Sequence, residues 1–195
     1  MEAIVEGLRL TLVQGSITDQ EADAIVNAAN TAMRGGGGVD GAIHAGAGRE
    51  MMDELRRVAP NGARTSEVVT TEGYRLPARY VLHVAGPVWN GGGGGEAEKL
   101  ALCYRNAIAR AEELDLTSLA FPSISTGIYG YPIDRAAPVA LGEAVRAAKR
   151  GTSLREIRFV VFSEGDERAY ARLFDRLDEI HPAAVEYEDA GLPST

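Results

Sequence analysis

The chain has 195 residues, 45% hydrophobic and 25% charged, and 28 acidic against 20 basic residues give a formal net charge of −8. That length fits one domain able to bury about 70% of the surface its unfolded chain would expose. The acidic balance argues against a protein that coats a polyphosphate backbone by bulk charge. A single cysteine, Cys103, allows no internal disulfide and fits a reducing compartment. No run is apolar for long enough to span a bilayer, and MEAIVEGLRL lacks the basic-then-apolar pattern of a secretory signal, so a cytoplasmic protein is expected.

In chain order, apolar β-branched runs predict strands at Arg9–Gln14 and Ala24–Asn27. The second runs into VNAANTAMRGGGGVDGAIHAGAG, residues 26–48. Helices are predicted at Gly41–Ala47 and Arg49–Val58, then strands at Glu67–Thr71 and Tyr80–Val84. The glycine run Gly91–Gly95 reads as a mobile surface loop before a helix at Glu96–Leu114. Its apolar face includes Leu100, Cys103, Tyr104, Ala107, Ile108 and Ala111. A buried strand at Ser118–Phe121 breaks into FPSISTGIYGYP, followed by a helix at Asp134–Arg150, a strand at Glu156–Phe162 and a helix at Glu167–Ile180. From His181 onward, two prolines, several acids and little apolar pattern predict a flexible acidic tail at 181–195 beyond one domain at 1–180. Strand followed by helix, repeated, argues an α/β layered domain with a largely parallel sheet. Ligands of such sheets lie outside the carboxyl ends of the strands.

Two loops concentrate the chemistry. In the first, Asn27 and Asn30 stand at the mouth of the sheet, where they either satisfy loop backbone or face a ligand. Gly35–Gly38 can take positive φ and let a ligand approach the main chain, and a helix start comes next with unpaired N–H groups. Asp40 is either a first-turn acid of that helix or a working carboxylate, and His44 lies on the same face one turn later. No GK[ST] comes after the glycines, so this is no P-loop, and no G-x-G-x-x-G succeeds the first strand. In the second loop, Ser123, Ser125, Thr126, Gly127 and Gly130 can form a concave anion nest, with Tyr129 at its rim. His83 reads as a core residue and Cys103 as an inert buried thiol. Three scattered histidines and one cysteine give no metal-ligand spacing, so neither metal nor cofactor is expected. Ser163, Glu164 and Asp166 either rim the cleft or cap the last helix.

GSITDQEADAIVNAAN, GGGGVDGAIHAGAG, LPARYVLHVAGPVW, CYRNAIARA and FPSISTGIYGYP, in that order from about Gly15 to Ala137, resemble the macrodomain family, and within it the MacroD-type branch. The resemblance implies a three-layer α/β/α domain with a mixed, largely parallel central sheet that binds ADP-ribose over the strand ends. It also implies a hydrolase that removes mono-ADP-ribose ester-linked to acidic side chains and deacetylates O-acetyl-ADP-ribose. Its partners would be ADP-ribose and mono-ADP-ribosylated proteins, with no membrane, and a monomer is expected. Carried over by position, Asn30 and Asp40 would hold the distal ribose and its water, with Asn27 and His44 in support. Gly36, Gly37, Gly38 and Val39 would carry the diphosphate and distal ribose on main chain. Ser125, Thr126, Gly127, Ile128 and Tyr129 would wrap the diphosphate. Ile17 would touch adenine and Phe162 stack on it. The family often has an acid where this chain has Ser16 (GSIT), and charged acceptors bond about twice as strongly as neutral ones. Asp19 and Asp23 are nearby acids able to compensate. Two rival readings are a module that binds ADP-ribose without hydrolysing it and a nucleic-acid or poly(ADP-ribose) binder. The net charge and the lack of a basic-aromatic stripe argue against the latter.

Overall fold

A computed structural model of the chain describes residues 1–180. Seven strands form one mixed sheet: β1 (Glu2–Val5), β2 (Leu8–Gln14), β3 (Ala24–Ala29), β4 (Val68–Glu72), β5 (Tyr80–Ala85), β6 (Ser118–Phe121) and β7 (Glu156–Val161). Their order across the sheet is β1-β2-β7-β6-β3-β5-β4. The central five, β2 to β5 in that order, run parallel, and β1 and β4 close the two edges antiparallel. The expected α/β architecture with a mixed, largely parallel sheet is therefore present.

Five helices cover the two faces: α1 (Gly38–Ala47), α2 (Arg49–Val58), α3 (Glu96–Glu113), α4 (Ile133–Lys149) and α5 (Glu164–Phe174). On one face α3, α4 and α5 bury Leu100, Tyr104, Leu141 and Tyr170 against Leu10, Leu12, Leu82 and Phe159 of the sheet. On the other face α1 and α2 bury Ile43, Ala47 and Met51 against Ile25, Val81 and Val160. Strand residues alternate between these faces because successive side chains point to opposite sides. The central strands are apolar on both, as parallel sheets require.

Several bounds differ from expectation. The edge strand β1 has only four residues, alternating exposed and half-buried, and it offers no apolar run to find. Helix α1 begins at Gly38, so its first turn takes in the last glycine of the run together with Val39 and Asp40. The last helix begins at Glu164 and stops at Phe174, with a separate 3₁₀ turn at Leu177–Glu179. Ser163 caps α5, its side chain accepting from the Asp166 N–H at 3.1 Å, which resolves the open role of that residue. The predicted tail at 181–195 lies outside the described residues.

Gly91–Gly95 is not a free loop. The N–H groups of Asn90, Gly92 and Gly94 donate to the Glu96 carboxylate at 2.9, 3.3 and 2.6 Å. Gly91, Gly92 and Gly95 all have positive φ, which turns these amides inward around the acid. Burial pushes the Glu96 carboxyl up, and the backbone donors outweigh it and hold the group below its usual value. Just before this loop, the Trp89 N–H donates to Tyr129 O at 3.0 Å, and the Trp89 ring packs on Tyr131.

Candidate functional site

The loops that succeed β3, β5 and β6 meet above the carboxyl ends of the parallel strands. Between them lies a cleft of about 250 Å³. Its walls bring together Asn30, Gly36, Gly37, Gly38, Val39 and Asp40 of the first loop with Ser125, Gly127, Ile128 and Tyr129 of the second. Ala28, Ala29, Gly86 and Ser123 complete the lining. The alanines end a strand and carry no polar signal. Gly86 becomes meaningful only once the loops cross, because a Cβ there would stand 2.2 Å from Ser125 Oγ.

The first loop is built from close backbone approach. Gly35 and Gly38 have φ of +80° and +58°. A Cβ on Gly41 would lie 2.7 Å from the Gly36 carbonyl, so the helix can start directly beneath the glycine turn. Asn30 Nδ2 donates to Gly35 O at 2.8 Å and pins the turn from the other side. No side chain caps α1 at Gly37, which leaves the first N–H groups and the positive end of the helix dipole available to an anion.

Asp40 sits in the first turn of α1 and is 5% exposed. Asn27 Nδ2 donates to its Oδ1 at 2.7 Å. His44 Nε2 lies 3.3 Å from the same oxygen without the alignment of a hydrogen bond. The other carboxylate oxygen faces the glycine turn, where a Cβ on Gly36 would come within 3.1 Å of Oδ2. The acid is thus gripped on one oxygen and open on the other. Behind Asn27 stands His83, its Nδ1 3.0 Å from Asn27 Nδ2 and its Nε2 2.9 Å from Thr71 Oγ1. His83 is buried as expected, but in a polar chain rather than in apolar packing. Burial, with the neighbouring His44, pulls its pKa down to about 3 despite the pull of Asp40 in the other direction.

The second loop is strained where it meets the first. Ser125 has φ of +68°, a left-handed conformation that costs a non-glycine residue about 1–3 kcal/mol. Tyr131 N–H donates to Ser125 O and Gly130 N–H to Gly127 O, both at 3.0 Å. The loop's internal bonds use its carbonyls, and the N–H groups of Gly127, Ile128 and Tyr129 have no internal partner among the described residues. Thr126 does not line the cleft: its hydroxyl donates to Ser123 O at 3.0 Å and braces the turn. Buried polar atoms without a protein hydrogen bond among the described residues gather around the cleft: Asn30 Oδ1 and Ser125 Oγ on its wall, and Asn27 Oδ1 and both His44 ring nitrogens behind Asp40. Buried polar atoms are normally bonded, so such a cluster marks a place where a ligand or water completes the structure.

The remaining expected contacts lie off the cleft wall. Asn27 and His44 stand behind Asp40. Ile17 is 5% exposed and packs into the core under α1. Ser16 caps a 3₁₀ turn at Ile17–Asp19: its Oγ accepts from the Thr18 N–H and lies 2.6 Å from Thr18 Oγ1. Phe162 comes directly after β7 and is 85% exposed, at the carboxyl end of a strand that pairs with β2, from whose end the chain runs on to Ser16. Asp23 is excluded as a substitute acid. It stands at the opposite end of β3 and accepts from the Thr117 N–H and hydroxyl and the Ser118 N–H. Burial raises its pKa, and these donors more than offset that and hold it low.

Cys103 is fully buried, its Sγ donating to Lys99 O, and burial pushes the thiol up to about 12, so it is inert. Among the described residues no group of three or more His, Cys, Asp or Glu could hold a metal. No helix among them is long and apolar enough to cross a membrane.

Comparison with known proteins agrees with this geometry. The family model for the Macro domain matches residues 26–140, which contain both loops. A macro domain-containing protein of Caldanaerobacter subterraneus subsp. tengcongensis is 44% identical over 173 residues, covering 88% of this chain and 98% of the relative. A solved structure of the Oceanobacillus iheyensis macrodomain with ADP superposes with a TM-score of 0.88 at 40% identity, covering 92% of this chain and 96% of that one. A Trypanosoma brucei macrodomain in complex with ADP-ribose superposes with a TM-score of 0.78 at 42% identity, covering 84% and 68%. With a cleft walled by two backbone loops, a matching fold and sequence identity sustained across most of its length, this chain belongs to the macro domain family.

Proposed function

We propose that the chain binds ADP-ribose and hydrolyses mono-ADP-ribose esters of acidic side chains, or the acetyl ester of O-acetyl-ADP-ribose. Binding is supported by the relatives solved with ADP and ADP-ribose and by a cleft whose anion donors are main-chain N–H groups. In this reading the diphosphate lies between Gly36–Val39 and Gly127–Tyr129, and the α1 N-terminus faces its charge. Tyr129, half-buried at the rim, packs on the distal ribose.

Asp40 is the observation that carries the hydrolase reading. A buried carboxylate is costly, and this one is held by Asn27 on one oxygen while the other faces the glycine turn. A module that only binds has no need of an acid at that position. Asp40 accepts a hydrogen bond from a water or a ribose hydroxyl and orients it toward the ester, and general-base help of this kind is worth roughly 10²–10⁴-fold. Asn30, whose Oδ1 has no protein partner among the described residues, holds the ribose beside it.

The deciding experiment incubates the chain with a protein mono-ADP-ribosylated on glutamate and measures release of ADP-ribose. Release by the wild-type chain is expected. Tight ADP-ribose binding with no release would leave the non-catalytic binding module as the correct reading.

A further inference from the structure

Behind the cleft, four buried polar residues form an unbroken chain across the sheet: Asp40, Asn27, His83 and Thr71. Asn27 and His83 are register partners on the parallel strands β3 and β5, and Thr71 lies on the neighbouring β4. Their protons can be assigned by elimination. An ionised carboxylate only accepts, so Asn27 must turn its Nδ2 toward Asp40 Oδ1. The same Nδ2 lies 3.0 Å from His83 Nδ1, and a donor there requires that Nδ1 be an unprotonated acceptor. A neutral imidazole carries one N–H, which is then on Nε2 and donates to Thr71 Oγ1 at 2.9 Å. Each link fixes the next, and Thr71 anchors the far end.

The alternative state is self-defeating. A proton on His83 Nδ1 would meet the Asn27 amide donor head on. Flipping the amide to accept it would turn Asn27 Oδ1 against Asp40 Oδ1, acceptor against acceptor. We infer that His83 is a positioning residue: as a neutral Nε2–H tautomer it locks the Asn27 amide with its donor toward Asp40 and so aims the open oxygen of that carboxylate into the cleft. Full burial of Asn27, His83 and Thr71 fits this role, and burial also keeps the ring neutral, with its pKa near 3. The kinetic half of the inference rests on the hydrolase reading; the tautomer does not.

Two measurements test it. In the ¹⁵N-labelled wild-type chain, the His83 ring is expected to stay neutral with hydrogen on Nε2 from pH 7 down to about 5, below the value of 6.5 for an ordinary histidine. An Nδ1–H tautomer, or a ring that titrates near 6.5, would overturn the inference without any reference to activity. The second measurement compares two variants. His83→Asn keeps an acceptor where Nδ1 stands, whereas His83→Gln keeps the donor to Thr71 and loses that acceptor. His83→Gln should lower kcat by roughly tenfold to a hundredfold while the Kd for ADP-ribose changes by less than about threefold. His83→Asn should recover most of the lost kcat. Equal loss in both variants, or an effect on KM alone, would reduce His83 to a packing residue. A wild-type chain with no turnover would refute the hydrolase reading instead, and the nitrogen spectra would still decide the tautomer.

Discussion

Gly86→Ala tests whether the two loops are set by backbone approach. Gly86 is buried directly after β5, where the loop leaving β6 crosses it. A Cβ would meet Ser125 Oγ at 2.2 Å and Ile124 Cγ2 at 2.7 Å, and real Cβ contacts essentially never fall below 3.0 Å. Ser125 Oγ must therefore retreat by most of an ångström and Ile124 Cγ2 by about 0.3 Å to reach even that limit. Neither can do so freely. Ile124 is fully buried and its N–H is bonded to the Tyr104 hydroxyl at 3.3 Å, while Ser125 is already left-handed at φ +68°. Overpacking of this kind costs about 1–3 kcal/mol. For a chain of this length that lowers the melting temperature by roughly 2–4 °C per kcal/mol. Displacing the N–H groups of Gly127–Tyr129 should also cost one or two charge-assisted bonds, about 1.5–3 kcal/mol each, or at least about tenfold in ADP-ribose affinity. Differential scanning calorimetry and titration calorimetry read the two effects. The double variant G86A/S125G removes the nearer clash and relieves the positive φ, so it should regain part of both. A Gly86→Ala protein with wild-type melting and affinity would refute the reasoning.

Three further outcomes are expected. Asp40→Ala should lower turnover at least about tenfold while ADP-ribose still binds by calorimetry; wild-type turnover would remove Asp40 from the mechanism. Ser16→Asp should be tolerated, since aspartate also caps a helical turn, and should tighten ADP-ribose severalfold, because a charged acceptor bonds about twice as strongly as a neutral one; unchanged affinity would mean another group reads the adenine. Glu96→Gln should flatten the acid limb of stability. The folded-state pKa of Glu96 lies below its usual 4.5, so its contribution is present above 4.5 and is lost as pH falls through the folded value. Urea melts at pH 7 and pH 3.5 check this, and equal pH dependence in the two proteins would contradict it.

The two loops are legible in the sequence because the residues that permit close backbone approach are themselves the signal. VNAANTAMRGGGGVDGAIH and FPSISTGIYGYP announce strand ends, turns and a helix start at once, and the structure does bring both to one cleft. Asp40 stands out as an acid one turn from a histidine. The groups that hold it do not, because Asn27 and His83 are separated by more than fifty positions and meet only through the register of β3 and β5. His83, read alone inside YVLHVAGP, is one polar residue in an apolar strand. Gly86 in the same stretch carries no mark of the loop that crosses it. The loop pattern and the resemblance place Thr126 and Ile17 near the ligand, but neither shows what else their side chains do: Thr126 braces a turn and Ile17 packs into the core. The short edge strand β1 escapes a reading by pattern because an exposed four-residue edge needs no apolar periodicity.

The chain contains two glycine runs that differ in the fate of the acid at their end. GGGGGE closes on its own acid: Glu96 folds back and accepts from the amides of Asn90, Gly92 and Gly94. In GGGGVD the acid is drawn down into the first turn of α1 and tied to Asn27, so the amides above it are left unspent. One run is a site already filled in cis by the protein's own carboxylate; the other is the same device with its internal competitor removed. Whether a glycine run is a strut or a receptor thus depends less on the glycines than on whether the next acid can reach back to them. Binding capacity is something the fold preserves by restraining Asp40, and a substitution that freed that carboxylate to swing upward would turn the receptor into a strut.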